Sequence, residues 1–193
     1  MLSHPRVINK QSSWVNIRNA YNTAVGLEES TIQLPISEKN GFHVLIYVGQ
    51  TPNAGRGVFA THPITKGTLV YTNLRQRAVF KTGSPYRRFL STLSNDWVCD
   101  LLSWCHVAYE DLDEKTSARI ICVLDEGSLV NSANGGDDLN LGRLEDAKYL
   151  CQGDCRMNFF ATRDIDGGEE LLASYGEYIE SPAWDLSYKL FEW

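Results

Sequence analysis

The spacing of apolar residues near the start of the chain predicts one amphipathic helix. Trp14, Ile17, Tyr21 and Val25 follow one another at intervals of three or four positions, which places them on one helical face. The segment TIQLPI, residues 31–36, then reads as a short extended piece. The amino-terminal part is therefore predicted to be helical, with an extended exit.

From Gly41 onward the apolar runs become short and are separated by turn residues, a pattern typical of β-strands. The runs FHVLIYVGQ, GVFATHPI and GTLVYT predict the first strands, with Pro52-Asn53 and Lys66-Gly67 as turn signals. Farther along, ARIICVLDEG predicts a β-rich stretch, VNSANGGDDLNLG a polar loop, and CRMNFFATRDI a hairpin.

Residues 86–109 interrupt this pattern, because their apolar positions return to helical spacing and predict one or two buried helices. The positions that carry this spacing are Phe89, Leu93, Trp97, Leu101, Trp104 and Ala108. The predicted fold class is therefore mostly β with inserted helices.

The composition is that of a globular protein and its charge favours some partners over others. The chain has 193 residues, of which 43% are hydrophobic and 22% charged, with a formal net charge of −6. Because nucleic-acid phosphates are bound by clustered Lys and Arg, this balance argues against direct nucleic-acid binding. An acidic surface favours a basic partner such as a Lys/Arg-rich peptide, and a solvated face that serves only solubility is the alternative.

Cysteine usage and targeting signals suggest a location. The cysteines are odd in number and lack the spacing of a disulfide framework, and we find no signal peptide, no N-x-S/T acceptor site and no apolar run long enough to span a bilayer. We therefore expect a reduced, soluble, intracellular protein of the nucleus or cytoplasm, with no membrane contact. The five cysteines are Cys99, Cys105, Cys122, Cys151 and Cys155.

A glycine-rich loop after the first apolar run allows two interpretations. Gly55, Gly57 and Ala60 spell G-x-G-x-x-A, which in a dinucleotide-binding turn leads into a helix whose N-terminus binds pyrophosphate. Here Lys66-Gly67 ends any helix opened by Pro63 within a turn, and TLVYT then alternates like a strand. No acidic residue follows at the distance required for a ribose contact, so the pattern argues against nucleotide binding.

The same loop resembles the start of a SET domain, the fold of one large class of protein-lysine methyltransferases. That family begins with a Gly-x-Gly-(aliphatic)-Phe-Ala segment and an Ile-x-x-Gly turn, which here read GRGVFA and ITKG. The family's Gly-Glu-Glu-Leu-x-x-x-Tyr-Gly box is present in full as GEELLASYG, residues 168–176, and FFATRDIDG resembles the strand and turn that lead into it. The family's Asn-His-Ser-Cys-x-Pro-Asn segment is degraded to VNSANGGDDLN, in which Asn131 keeps its place, Ser132 replaces the His and Asn140 is placed as the later Asn.

The resemblance implies a SET-domain fold of small β-sheets with a helical insert and a division of the chain into three parts. Residues 1–40 form an N-terminal helical extension, and residues 41–178 the SET domain with its insert at about 80–118. Residues 179–193 form a C-terminal segment that covers the cofactor, and PAWDLSYKLF within it resembles the tail that some members fold over that site.

The resemblance also implies a reaction and a set of site residues. Family members transfer a methyl group from S-adenosylmethionine to a lysine amine of a protein, and a histone tail is one candidate substrate. By this resemblance Tyr175 is the catalytic residue that orients the amine at the end of a narrow channel. The residues implied to bind the cofactor are Gly55, Arg56, Gly57, Asn131, Ser132 and Trp184. Among them Arg56 would face the methionine carboxylate, Asn131 would use its amide as both donor and acceptor, and Trp184 would stack on adenine.

Two departures from the family pattern leave alternatives open. Ser132 replaces the family's His, and Ala173 occupies a position where many members carry an aromatic ring that lines the lysine channel. The channel would be wider unless another aromatic side chain fills it, and Tyr109 and Phe159 are the candidates. The alternatives are a SET-fold binding module that has lost turnover and a SET fold recruited for a small-molecule reaction.

Other clusters suggest less. Glu169 and Glu170 look like a catalytic pair, but in the family box they are mainly structural. Cys151 and Cys155 have a C-x-x-x-C spacing that is weak evidence for zinc, and the three-cysteine cluster found in many members is missing, so we expect no metal. Acidic residues near the expected substrate side would attract a basic peptide. They are Asp137, Asp138, Glu145, Asp146, Glu177 and Glu180.

Overall fold

The computed structural model describes residues 11–32, 34–36, 39–52, 54–109, 118–133, 136, 138–143 and 158–175. The helices in these residues are α1 Gln11–Val25, α2 Gly83–Ser91 and α3 Asn95–Trp104, with a 3₁₀ helix at Glu126–Leu129. The strands are β1 Ile46–Thr51, β2 Gly55–Ala60, β3 Leu69–Thr72, β4 Arg77–Phe80, β5 His106–Tyr109, β6 Ala118–Val123, β7 Asn131–Ser132, β8 Leu141–Gly142, β9 Asn158–Ala161 and β10 Leu172–Ala173. The prediction of a mostly β fold with inserted helices is confirmed.

Three small sheets organise the described part of the chain. The antiparallel pair β1–β2 forms one, strands in the order β3-β9-β8-β10-β7 form a second, and β4-β6-β5 form a third. The box segment docks along the free edge of β2, since Gly168 N–H donates to Ala60 O and Leu171 N–H donates to Val58 O. Strand β2 therefore lies between its hairpin partner and the GEELL segment.

Helix α1 belongs to the core that covers the three-stranded sheet. Trp14, Ile17 and Tyr21 are buried together with residues of β4, α2, α3 and β6, which confirms the predicted helical face. Gly26 takes a positive φ of 87° and donates its N–H to Asn22 O, a left-handed helix end that glycine adopts without strain. Arg18, also buried, donates to Gln76 Oε1 and Leu124 O, so α1 is anchored by polar contacts as well as apolar ones.

A second core lies between β2 and the five-stranded sheet. Val58 and Ala60 of β2 pack there against Ile64, Val70 and Leu171, and all of these side chains are buried. Arg56, Gly57 and Val58 are buried in succession and Ala60 is buried as well, so β2 is covered on both faces and does not alternate between core and solvent. This packing holds β2, and with it the glycine-rich segment at its start, against the second core.

The prediction that the helical region continues to residue 109 is wrong. Helix α3 ends at Trp104, and residues 106–109 form β5, which pairs antiparallel with β6 through His106–Ile121 and Tyr109–Ala118. A short apolar run does not distinguish a helix from a strand by itself, and here the pairing with β6 decides.

The expectation of reduced cysteines is also corrected, because Cys105 and Cys122 form a disulfide. Their Cα atoms lie 4.5 Å apart, since the β5–β6 register places residue 105 opposite residue 122. Spacing along the sequence does not reveal this pairing, which depends on the strand register. Cys99 is a free, exposed thiol, and Cys151 and Cys155 lie outside the described residues.

The TIQLPI segment was predicted to be extended, but its described residues form no strand. Thr31 instead makes side-chain hydrogen bonds to Tyr21 and to the carbonyl of Arg77, and Pro35 has no N–H to give to a sheet. No helix in the described part of the chain is long and apolar enough to cross a bilayer.

Candidate functional site

The glycine loop is the start of a strand rather than the entry to a helix. In the β1–β2 hairpin Thr51 pairs with Gly55 and Gly49 with Gly57, and the next regular element is β3. Gly55 has a φ of +78° and open space where a Cβ would stand. Since no helix N-terminus follows the loop, the pyrophosphate-binding arrangement is absent from this described segment.

Gly57 is a close-approach glycine. A Cβ added to it would lie 2.2 Å from Oε1 of Glu170 and 2.6 Å from Cγ2 of Thr51. The missing side chain therefore lets the carboxylate of Glu170 reach the hairpin. Gly57 of the glycine loop and Glu170 of the GEELLASYG box are therefore in direct contact.

Asn131 joins the loop to the box. Its amide Nδ2 donates to the main-chain oxygen of Arg56 at 2.8 Å and to Oε1 of Glu170 at 2.7 Å. These two bonds use both N–H donors of the amide, so Oδ1 is the atom that can serve a ligand. Cofactor binding by Asn131 stays a prediction, and the two partners of Nδ2 within the protein leave Oδ1 as the atom to which it applies.

A buried carboxylate places the segment that leads to Asn131. Oδ1 of Asp125 accepts from the Tyr71 hydroxyl at 2.8 Å and from the N–H of Gly127 at 2.9 Å, and Oδ2 accepts from the N–H of Gly41 at 2.6 Å. Burial is the main cause that raises the pKa of Asp125 to about 6. Sequence reasoning missed this residue, although an Asp just before a Glu-Gly-Ser turn is a recognisable N-cap signal.

Asn140 ties the described end of the polar loop to the box. This fully buried side chain donates from Nδ2 to the main-chain oxygen of Glu170 at 2.7 Å and accepts the N–H of Leu172 on Oδ1 at 2.8 Å. Asn140 and Asn131 thus both donate to Glu170, in line with the assignment of Asn140 as the later Asn of the degraded motif.

Glu169 has structural partners. Its Oε1 accepts from the guanidinium of Arg163, and its Oε2 accepts the N–H of Asp166 at 3.0 Å. The bond from Arg163 is the first cause that holds the pKa of Glu169 below its usual value. The carboxylate is ionised and engaged, so it is unsuited to act as a general base.

Tyr175 lies next to the Asn131 segment. Its hydroxyl donates to the carbonyl of Val130 at 2.9 Å, while 43% of the residue remains exposed. Desolvation raises the pKa of Tyr175, so the phenol stays protonated at neutral pH. The Tyr175 hydroxyl therefore contacts the main chain directly before Asn131.

The side chain of Arg56 is turned away from solvent and toward helix α3. It is 3% exposed, forms an ion pair with Asp100 at 2.9 Å, and lies over the ring of Trp104 with 5.8 Å to the centroid. The expectation that Arg56 faces the methionine carboxylate is therefore corrected. A buried cation requires a partner, and α3 provides it.

The remaining predicted residues are distributed as follows. Ser132 is exposed on β7, where it pairs with the buried Ala173 of β10, and Phe159 of β9 packs toward Tyr71 with centroids 6.1 Å apart. Tyr109 ends β5 in the separate three-stranded sheet. The structure does not bring Tyr109 and Phe159 into one sheet with each other. Trp184 lies outside the described residues.

Metal ligands were not expected, and that expectation stays a prediction. Within the part of the chain that the structure describes, no group of three or more His, Cys, Asp or Glu side chains is arranged to hold an ion. The C-x-x-x-C pair at residues 151 and 155 is outside that part.

A comparison with protein families gives one match, to the SET domain, over residues 55–176. The match begins at the glycine loop, ends just after Tyr175 and spans well over half of the chain. A comparison with curated proteins gives no significant match.

Solved structures with a similar fold have low identity. They include a humanised mutant of Polycomb Repressive Complex 2 from Chaetomium thermophilum bound to an inhibitor, with 17% identity and a TM-score of 0.45 over 75% of this chain and 16% of that one. The apo form of that complex in an autoinhibited state has 17% identity and a TM-score of 0.45, over 76% of this chain and 17% of that one. A candidate histone methyltransferase of Plasmodium falciparum gives 18% identity and 0.38, over 69% of this chain and 95% of that one. The chain thus spans about a sixth of the Polycomb chains.

Proposed function

The chain belongs to the SET-domain family, and from this premise we propose that it is an S-adenosylmethionine-dependent methyltransferase that modifies a lysine amine of a protein. One observation carries the proposal: Asn131 holds the main chain of the glycine loop and Glu170 of the box, while the adjacent Val130 carbonyl accepts the Tyr175 hydroxyl. Three segments distant in sequence therefore meet within hydrogen-bonding distance.

The residues present suit S-adenosylmethionine. Gly55 leaves open space beside the loop, and Oδ1 of Asn131 is an acceptor that matches the ammonium of a methionine moiety. The cofactor supplies, when bound, a methyl group on a sulfonium. The main chain at residues 55–57 and the amide oxygen of Asn131 would hold it, and the ionised Glu169 and the buried Arg56 are paired within the protein.

Tyr175 acts in this proposal by orientation rather than by removing a proton. Because desolvation raises its pKa, the phenol is a poor base at neutral pH. Its hydrogen is donated to the Val130 carbonyl, which leaves the oxygen lone pairs to accept an N–H of the substrate amine. The amine has to arrive neutral, with its proton lost to solvent, and the site gains rate by holding it in line.

A basic peptide is the proposed substrate class, with a histone tail as one example. The net charge of −6 favours a cationic partner, and Asp138 of the polar loop lies in the described part of the domain. Ala173 is buried and small, so control over the number of methyl groups is proposed to be loose. A product that carries strictly one methylation state on one histone lysine contradicts this last point.

The decisive experiment combines binding and transfer. Calorimetric titration with S-adenosylmethionine should give saturable binding, and the rate of radiolabelled methyl transfer to histones and lysate proteins should fall by about 100-fold in Tyr175→Phe. Tyr47→Phe is the matched control, since Tyr47 is also a partly exposed tyrosine and it stacks on Phe59 instead. Absence of both binding and transfer refutes the proposal, and binding without transfer supports the catalytically altered binding module.

A further inference from the structure

One buried ion pair connects the glycine loop to helix α3. Nη2 of Arg56 donates to Oδ1 of Asp100 at 2.9 Å, and the side chains are 2% and 14% exposed. The guanidinium carbon also lies 5.8 Å from the centroid of the Trp104 ring. Charge-assisted hydrogen bonds and cation–π contacts both strengthen when they are shielded from water. These contacts therefore fix the only charged side chain of the GRG segment.

Both partners come from one face of one helix. Asp100 and Trp104 are four positions apart on α3, a spacing that places them one above the other. Helix α3 packs through Leu101 into the core of the three-stranded sheet, whereas Arg56 belongs to the β1–β2 hairpin. The ion pair thus links the glycine loop to a different sheet and a different core.

The loop has a second, independent anchor on its main chain. The carbonyl of Arg56 accepts a hydrogen bond from Nδ2 of Asn131 at 2.8 Å. The backbone at residue 56 is therefore held from one side by the SET motif residues and, through its side chain, from the other side by α3. Loss of either anchor leaves the position of residue 56 relative to Asn131 and α3 to the hairpin pairing and the one remaining anchor.

We propose that Asp100 is a positioning residue that acts through Arg56 to set the glycine loop for cofactor binding, with Trp104 supporting the same guanidinium. This inference rests on the proposed function, because it assigns the loop to S-adenosylmethionine. Neither Asp100 nor Trp104 touches the reacting atoms in this assignment. Helix α3 thereby controls cofactor affinity from outside the segments that carry the family motifs.

The test compares Asp100→Asn with Asp96→Asn, which removes an exposed carboxylate one turn earlier on the same helix. We expect D100N to weaken S-adenosylhomocysteine binding by about tenfold, to raise the KM for S-adenosylmethionine more than it changes kcat, and to speed hydrogen exchange at residues 54–57. D96N should match the wild type in all three. Wild-type affinity and exchange in D100N overturn the inference.

A double variant separates positioning from direct contact with the ligand. Because D100N leaves a buried guanidinium without its carboxylate and can unfold the domain, R56M/D100L replaces the pair by apolar side chains of similar size. Recovery of most of the lost affinity supports positioning, whereas a folded double variant that still fails to bind shows that Arg56 contacts the ligand and overturns the inference. If the wild type binds no cofactor, the proposed function fails, and the exchange rates at residues 54–57 alone decide the inference.

Discussion

Gly57→Ala is the substitution that most directly tests the contact between the loop and the box. The backbone of Gly57 has no positive φ, so alanine can adopt its conformation, and the effect is one of space. The added Cβ would stand 2.2 Å from Oε1 of Glu170 and 2.6 Å from Cγ2 of Thr51. Real Cβ atoms do not tolerate such distances, so the side chain of Glu170 has to move.

The cost follows from what that movement breaks. Glu170 loses its hydrogen bond from Nδ2 of Asn131, and a bond to a charged group is worth about 1.5–3 kcal/mol. Thr51 is β-branched and relaxes poorly, so some overlap persists, and overpacking of this kind costs about 1–3 kcal/mol. Together these costs give an expected loss of about 2.5–6 kcal/mol in the free energy of unfolding, which for a chain of this size lowers Tm by about 5–24 °C.

The assay is urea and thermal unfolding, with Gly55→Ala as the matched control. Gly55 has open space where the added Cβ would stand but a φ of +78°, so its substitution costs only the left-handed backbone strain of about 1–2 kcal/mol. Titration with S-adenosylhomocysteine should show weaker binding in Gly57→Ala as well, because Asn131 loses one of its two fixed partners.

A double-mutant cycle with Glu170→Ala decides the cause. If the clash is the mechanism, the two substitutions are strongly non-additive, because removing the carboxylate makes room for the alanine. Wild-type stability in Gly57→Ala, or an additive cycle, refutes the reasoning.

Three further predictions concern other parts of the domain. Burial raises the pKa of Asp125 from 3.8 to about 6, so between these pH values the folded state keeps a proton that the unfolded chain has released. The contribution of this group to the free energy of unfolding, up to about 3 kcal/mol, is fully present below about pH 4 and is lost as the pH rises through 6. Unfolding measured from pH 4 to 7 should show this decline in the wild type and a flatter profile in Asp125→Asn, and identical profiles contradict it. Cys105→Ser should lower the free energy of unfolding by about 3 kcal/mol, given the 17-residue separation of the two cysteines, and should remove any effect of dithiothreitol on unfolding. Two free thiols at Cys105 and Cys122, detected by non-reducing mass spectrometry, would exclude the disulfide. Tyr175→Phe should lower kcat by about 100-fold with cofactor affinity unchanged, and full activity would remove Tyr175 from its proposed role.

Much of the element order could be predicted from local pattern. The helical face of α1 and the presence of strands at β2 and β3 depend on neighbours within a few positions, and these predictions are confirmed. The segment at residues 106–109 could not be predicted, because its apolar run suits a helix or a strand equally and pairing with β6 decided it. Local pattern also does not show why the described residues of TIQLPI form no strand.

The site divides in the same way. The motif order pointed to Gly57, Asn131 and Tyr175, and the structure brings their segments together. The motif order did not show that both Nδ2 hydrogens of Asn131 are donated within the protein, or that the Arg56 side chain points toward α3. A motif names the residue type at a position, whereas the direction of a side chain depends on the partners that surround it.

By itself the sequence determined which family this protein belongs to and which segments we propose as its site, because periodicity, turn chemistry and motif order can be read along the chain. Only the tertiary structure decided the partners: Arg56 with Asp100 across 44 positions, Asn131 with the loop across 75, and Asp125 with Gly41 across 84. Such contacts depend on how sheets and helices pack, and a buried charge or amide takes the partner that this packing supplies, since leaving it unpaired costs more than any local preference.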